Sequence, residues 1–218
     1  MAAGHLHATA LAIGEPRWVG LAEFIRAEAV LGDQARRRSL SLAQRAADET
    51  AGETGDAQQV HGMLHLASAL HAAALGCPSD VTAHLDEATA VAGVTGDGTF
   101  GGLHFGPRNV GVWRIALAVE LGDGGRVGEL ARGVDVAGIP SAGRQAMFYA
   151  DLGRGLATAR RTREQTITAL RQAEDLASQL IHANFYVRET VADLLGKTLR
   201  DAGGWELRGL AYRMGTAG

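Results

Sequence analysis

Two histidines four residues apart, His61 and His65, are the side chains in this sequence whose spacing best suits metal chemistry. On a helix this spacing places both imidazoles on one face, where they can bind zinc together. A zinc site needs a third ligand, and Gly62 stands where the HExxH pattern of metalloproteases has its glutamate. We therefore predict no metal and no cofactor, and we interpret the two histidines as lining a groove or packing against Leu64 and Leu66.

The residue types offer no catalytic set either. The sequence has no GxSxG motif, and its single cysteine, Cys77, directly precedes Pro78 in what we predict to be a turn. The acidic residues are scattered through predicted helices without a clear pair for general acid–base catalysis. A binding protein is therefore the favoured class, and an enzyme is the less favoured one.

Composition excludes several further classes. Of the 218 residues, 46% are hydrophobic and 21% are charged, which is too apolar for a disordered chain. No stretch of about 18 apolar residues predicts a membrane span. The net charge of −3 argues against a free-standing nucleic-acid binder. A single cysteine and the lack of a basic start over residues 1–14 predict a cytoplasmic protein that is not exported.

Prolines and glycines mark the predicted helix boundaries. Each of the four prolines comes just before an apolar, alanine-rich stretch, which is typical of a helix start. The sequence Leu-Gly-Asp occurs at 31–33 and at 121–123, where glycine can end one helix and aspartate can cap the next. Between these marks apolar residues recur every three or four positions. We predict helices near residues 2–13, 16–31, 33–53, 57–75, 79–95, 107–121, 124–133, 142–159, 163–178, 184–200 and 204–214.

Short connections pair consecutive helices into antiparallel hairpins. The first helices of five such hairpins start near residues 16, 57, 107, 143 and 184. A period of roughly forty residues favours a tetratricopeptide-like α-hairpin solenoid, and an ordinary globular bundle of helices is the alternative. We therefore predict an all-α fold in which residues 1–218 form a single domain.

One predicted connection, residues 94–106, is long and contains five glycines together with Phe100, His104 and Phe105. A loop of this length in a compact array is usually functional or mobile. It contains no lysine and follows no strand, so it is not a phosphate-binding loop of the GxxxxGK type. Two interpretations remain: a flexible insert whose aromatic residues dock onto the helices, or a loop that covers a ligand.

A series of segments along the chain is similar to one known family. Residues 61–66 (HGMLHL), 105–114 (FGPRNVGVWR) and 119–127 (VELGDGGRV) are the most characteristic. Further matching blocks follow in order at residues 148–154, 187–191, 200–204 and 207–211. Together these segments, which span nearly the whole chain, resemble the GMLHL, FGPTNVGIWR and VELGEGGRV segments of actinobacterial transcriptional regulators of the XRE type.

In that family the matching region is a C-terminal tetratricopeptide-like sensor domain, which follows an N-terminal helix-turn-helix domain that binds DNA. The resemblance therefore implies a cytoplasmic sensor of a small molecule or peptide, with DNA contact only through a helix-turn-helix domain. These 218 residues show no helix-turn-helix, so we expect either a separated domain or a free-standing relative without direct DNA contact. Where the family tends to have prolines, this chain has Ser178 and Phe185, a difference that can lengthen a helix.

The predicted binding surface follows from the solenoid, because the first helices of such arrays line a concave groove. Here those helices carry aromatic and polar residues on shared faces, a mixture that suits a mostly apolar ligand with a few polar groups. The predicted ligand-binding residues are His61, His65, Phe105, Asn109, Trp113, Arg144, Phe148, Asp151, Phe185 and Arg188. The alternative is packing between repeats, with Trp113 and Phe148 in the core and Asp151 in an ion pair with Arg154 or Arg188.

The leading hypothesis is therefore a sensor domain of a transcriptional regulator that binds a small molecule or a peptide in the concave groove, without catalysis. The ligand favours one superhelical curvature and changes what the array presents to a DNA-binding partner or to a second copy of the chain. One alternative is a scaffold that holds a helix or peptide of a partner protein. The other is an accessory or enzymatic protein of specialised metabolism that reuses the pocket.

Overall fold

The computed structural model describes residues 2–28, 33–198 and 204–216. These residues form eleven α-helices and no β-strand, which confirms the predicted all-α class. None of the described helices has both the length and the apolar composition needed to cross a membrane. The first six helices are α1 (Ala2–Ile13), α2 (Pro16–Glu28), α3 (Asp33–Thr50), α4 (Asp56–Ala74), α5 (Pro78–Thr95) and α6 (Pro107–Glu120). The other five are α7 (Val127–Arg132), α8 (Ala142–Leu156), α9 (Arg163–Ala183), α10 (Phe185–Thr198) and α11 (Trp205–Arg213).

Local signals set several of these boundaries. Proline is the first residue of α2, α5 and α6, where its missing N–H removes no hydrogen bond from the helix. Gly76 after α4 and Gly122 after α6 have φ angles of 73° and 76°, which glycine adopts without steric cost. The observed bounds agree with most of the helix positions predicted from the sequence to within a few residues.

Two helices differ from the prediction. The helix predicted over 163–178 continues to Ala183 as α9, because Ser178 does not interrupt it as a proline would. The backbone leaves the helical region at Ala177, with φ of −155° and ψ of 67°, so the extension follows a kink. The helix predicted over 124–133 is shorter, since a 3-10 turn precedes α7. The predicted end of the second helix, at residue 31, lies outside the described residues.

The chain forms two compact units, Met1–Leu121 (unit 1) and Gly122–Gly218 (unit 2), each with its own hydrophobic core. In unit 1, α4 is central and packs against α2, α3, α5 and α6. Val60, Leu64 and Leu66 of α4 are completely buried there. In unit 2, α8 packs against α9 and α10 packs against α11. The solenoid arrangement, the number of hairpins and the single domain stay predictions.

The glycine-rich segment between α5 and α6 is docked onto the core of unit 1. Leu103 and Phe105 are buried, and the ring of Phe100 contacts that of Trp18 with 4.8 Å between centroids. The segment closes on itself where the N–H of Gly98 donates to the carbonyl of Phe105 at 2.7 Å. The aromatic residues Phe100 and Phe105 therefore dock onto the helices, as the first interpretation of this loop proposed, and covering of a ligand by the loop stays a prediction.

A charged cluster connects α9 to α11 in unit 2. The buried carboxylate of Glu174 accepts hydrogen bonds from the guanidinium of Arg213 at 2.8 and 2.6 Å, and Oε1 lies 2.7 Å from Nε2 of His182. The hydrogen bonds from Arg213 are the main reason that the pKa of Glu174 is lowered from its ordinary value, against the opposing effect of burial. The folded state therefore favours the ionised carboxylate.

Replacing Glu174 with glutamine is expected to destabilise unit 2 by about 1–3 kcal/mol near pH 7, because Arg213 loses its charged acceptor. Since the pKa of Glu174 is lower in the folded than in the unfolded state, the carboxylate stabilises unit 2 fully above pH 4.5. This contribution is lost as the pH falls through the folded-state pKa. Urea unfolding followed by circular dichroism at about pH 7 and about pH 3.5 measures both effects.

The matched control is Glu189→Gln, which removes an exposed carboxylate from α10. Its unfolding midpoint is expected to stay close to that of the wild type at both pH values. A stability difference between wild type and Glu174→Gln that is equally large at both pH values would contradict the lowered pKa of Glu174.

Candidate histidine site

His61 and His65 lie one turn apart on α4, with 4.6 Å between their ring centroids. Both side chains are half-buried and contact residues of the neighbouring helices α3 and α5. Helix α4 is buried around most of its circumference, and His61 and His65, four residues apart, fall on its less buried stripe. The two imidazoles therefore share a face of α4 that is partly open to solvent.

The next helix, α5, contributes His84 and Glu87, which lie three residues apart and so share a helix face. The Nδ1 atoms of His84 and His65 are 3.0 Å apart, a hydrogen-bond distance. Oε1 of Glu87 lies 3.8 Å from Nε2 of His61. One possible ligand atom from each of His61, His65 and Glu87 lies within 4.8 Å of the others. We call His61, His65, His84 and Glu87 the histidine site.

Helix α3 orients the ring of His61. The carbonyl oxygen of Ala47 lies 2.9 Å from Nδ1 of His61, and because a carbonyl only accepts, Nδ1 carries the proton and donates it. The lone pair of the neutral ring is then on Nε2, the atom nearest Glu87. A backbone carbonyl in this position is typical of histidines that bind metal ions.

A second chain of hydrogen bonds runs from α3 through α5 to α4. Nε2 of the Gln44 amide lies 3.2 Å from Nε2 of His84, whose Nδ1 contacts Nδ1 of His65. When the amide donates, His84 donates to His65. When the amide is rotated so that its oxygen accepts a hydrogen bond from His84, the direction of both hydrogen bonds reverses. His65 then donates to His84 through Nδ1, and Nε2 of His65 holds the lone pair. The orientation of this amide therefore decides whether Nε2 of His65 has a free lone pair, because in the first arrangement Nε2 carries the proton and the lone pair on Nδ1 accepts the hydrogen bond from His84.

Burial keeps two of the rings unprotonated. The pKa of His65 is lowered from 6.5 to about 4, mainly by burial and further by the charges of His61 and His84. Burial also lowers the pKa of His84, an effect that the carboxylate of Asp80 partly opposes. At neutral pH both imidazoles are therefore uncharged, and each has one nitrogen lone pair.

The sequence pattern identified half of this site. The spacing of His61 and His65 is a signal within one helix, whereas His84 and Glu87 come from the helix that follows it. The His-x-x-Glu spacing in that helix is the signal that could have identified them. The reason for predicting no metal, a missing third ligand, does not hold once α4 and α5 are packed together.

The other predicted residues of unit 1 lie in its core. Phe105, Asn109 and Trp113 are all buried. The side-chain amide of Asn109 donates to the carbonyl of Leu103 at 3.1 Å and so holds the glycine-rich loop against α6. These positions agree with the packing alternative, and contact of the three side chains with a ligand stays a prediction.

In unit 2, the predicted residues of α8 are mostly buried. Phe148 and Asp151 are each only 4% exposed. Asp151 accepts a hydrogen bond from Arg154 at 2.8 Å, which is one of the two ion pairs that the packing alternative named. Arg144 is half-buried, and its backbone N–H donates to the Oγ of Ser141, the residue that caps α8.

The predicted residues of α10 differ from one another in exposure. Phe185 is 63% exposed and stands beside Tyr186, with 5.6 Å between ring centroids. Arg188 donates to the carbonyl of Met214, the residue after α11, and so ties the two helices together. The ten predicted residues are thus divided equally between the two units, and one groove shared by all of them stays a prediction.

Comparisons of the chain with protein-family models, with curated proteins and with solved structures gave no match. A functional proposal therefore depends on the histidine site and on the resemblance of the sequence segments to XRE-type regulators.

Proposed function

We propose that this chain is a tetratricopeptide-like sensor domain of a cytoplasmic transcriptional regulator, without catalysis, and that its ligand binds at the histidine site of unit 1. The observation that carries the proposal is the convergence of His61, His65 and His84 in a partly buried place. The resemblance of residues 61–66 and 105–114 to XRE-type regulators supports the regulatory part. Contact with DNA belongs to a helix-turn-helix domain.

The chemistry around the site suits binding better than catalysis. Thr50 has the hydroxyl that contacts His61, and this hydroxyl donates to the carbonyls of Ala46 and Ala47 at 3.0 Å. Because Nδ1 of His61 carries a proton of its own, it cannot act as the base that activates Thr50 as a nucleophile. The lone pairs of the imidazoles, in contrast, are suited to hold a ligand.

A ligand at this site connects three helices. Gln44 and Ala47 belong to α3, the pair His61 and His65 belongs to α4, and His84 belongs to α5. A ligand that holds the imidazoles together favours the helix arrangement in which they converge, and so shifts the population of conformations of unit 1. This shift is the signal that a DNA-binding partner or a second copy of the chain receives.

Transcript sequencing in the host organism tests the proposal. The strains carry the wild-type gene, a deletion, His65→Ala or the control His5→Ala, which changes an exposed histidine of α1. We expect the deletion to change a defined set of transcripts severalfold, His65→Ala to change the same genes, and His5→Ala to match the wild type. A deletion without effect on transcripts, or a His65→Ala strain identical to the wild type, would contradict the proposal.

A scaffold for a partner protein is the second candidate function. The exposed pair Phe185 and Tyr186 favours it, since aromatic side chains that are 63% and 41% exposed are suited to contact another protein. The same transcript experiment separates the two candidates when Phe185→Ser is added. If Phe185→Ser reproduces the effect of the deletion and His65→Ala does not, the scaffold is favoured over the sensor.

A further inference from the structure

We infer that the histidine site binds a divalent transition-metal ion of the zinc class, with one nitrogen each of His61 and His65 and the carboxylate of Glu87 as protein ligands. The inference rests on the proposed function and names the ligand class of the same site. Imidazole nitrogen and carboxylate oxygen are ligands that zinc takes in proteins. A set of three protein ligands leaves a coordination position open for water or a small molecule.

The ligand atoms need to move only a short way to bind an ion. In a tetrahedral site with bonds of about 2.0–2.1 Å, neighbouring ligand atoms are about 3.3 Å apart. The ligand atoms of His61, His65 and Glu87 lie within 4.8 Å of one another. Glu87 can make most of the movement, because its side chain is 53% exposed, whereas that of His61 is 12% exposed and hydrogen-bonded to Ala47.

The neighbouring residues orient both histidines as metal sites require. The hydrogen bond from His61 to Ala47 leaves Nε2 of that ring available beside Glu87. When the Gln44 amide is rotated so that its oxygen accepts from Nε2 of His84, Nδ1 of His65 donates to Nδ1 of His84. The lone pair of His65 is then on Nε2, where it can bind the ion. Outer partners of this kind fix the ring orientation and raise the ligand's basicity. We assign His84 this positioning role.

The ligand types also select the class of ion. Imidazole suits zinc, nickel, copper and iron, whereas magnesium and calcium prefer sites made only of oxygen atoms. Among the side chains that the structure describes, no other three of histidine, cysteine, aspartate or glutamate lie close enough to share an ion. The site is therefore specific in composition as well as in position.

Isothermal titration of the full chain, without a histidine tag and after removal of metal with EDTA, tests the inference. We expect ZnCl2 to bind at one ion per chain and MgCl2 to give no saturable binding. Glu87→Gln removes a ligand and not an outer partner, so it is expected to weaken zinc binding by at least the roughly 10- to 100-fold that loss of an outer partner costs. The control Asp86→Asn, which changes the neighbouring exposed carboxylate of α5, is expected to leave the affinity unchanged.

The histidine variants separate ligands from the positioning residue. We expect His61→Ala and His65→Ala to remove saturable zinc binding. We expect His84→Ala to weaken it about tenfold, and His84→Asn, which keeps a polar group near the position of Nδ1, to restore part of the affinity. The visible absorption of bound Co2+ reports the geometry of the site, and circular dichroism reports the folding of each variant.

Absence of saturable zinc binding, or equal zinc affinity in the wild type and in Glu87→Gln, would overturn the inference. Because Glu87 is exposed, its substitution tests the site even if a histidine variant fails to fold. If zinc does not bind but His65→Ala still changes transcripts, the metal inference is wrong and the proposed function stands. If zinc binds and no transcript changes, the metal site stands and the proposed function is wrong.

Discussion

Replacing Phe105 with alanine is expected to destabilise unit 1 by about 3–5 kcal/mol, the usual effect of removing a large buried aromatic side chain. Phe105 is completely buried in the core of unit 1, where its ring packs against α4. Urea unfolding measures the loss, followed by the fluorescence of Trp18 and Trp113. A Trp205→Phe background, which changes an exposed tryptophan of unit 2, restricts the signal to unit 1.

The control for this substitution is Val94→Ala, which removes an apolar side chain at the end of α5 that is 77% exposed. We expect its unfolding free energy to stay within about 0.5 kcal/mol of the wild type. If Phe105→Ala were as stable as Val94→Ala, the docking of the glycine-rich segment onto unit 1 would be refuted.

Adding a methyl group at Gly62 is expected to have the second large effect, a net destabilisation of unit 1 by about 1–3 kcal/mol. A Cβ atom at Gly62 would lie 2.0 Å from Cζ and 2.4 Å from Cε2 of Phe105. The ring is enclosed in a close-packed core, so it cannot move away without displacing its neighbours. This overpacking outweighs the preference for alanine over glycine inside a helix, about 1 kcal/mol. The same urea titration measures the result.

Gly93→Ala is the matched control because it adds the same methyl group to a helix at a position where no atom outside the local helix backbone lies within 4 Å. We expect it to stabilise unit 1 by about 0.5–1 kcal/mol, which is opposite in sign to Gly62→Ala. In the double variant Gly62→Ala with Phe105→Ala, the combined cost is expected to be smaller than the sum of the single costs, since the clashing ring is absent. Strictly additive costs would show that the two residues are not in contact.

Much of the helical structure was predictable from the sequence because its signals are local. The helix predicted over 57–75 is found as Asp56–Ala74, and the one predicted over 79–95 is found as Pro78–Thr95. Proline at the first position and glycine with positive φ at the end act within one turn of the helix. The longer α9 shows the limit of such signals, because no proline or glycine marks its end.

The histidine site was harder to predict from the sequence than the helices, because it depends on which helix faces meet. The pair His61 and His65 could be identified, since a spacing of four residues defines a face within one helix. The contribution of His84 and Glu87 depends on the rotation of α5 against α4. The structure also explains why Gly62 stands between the histidines, since the ring of Phe105 fills the space that a side chain there would need.

The amino-acid sequence alone therefore determined the all-α class, most helix limits and the histidine pair on α4. Only the tertiary structure decided that α5 completes the histidine site and that Phe105, Trp113 and Phe148 are buried. The physical reason is the range of the interactions. A helix forms through hydrogen bonds between residues four positions apart, so short patterns encode it. A binding site and a core form through the packing of side chains from distant segments, so they exist only once the helices have packed together.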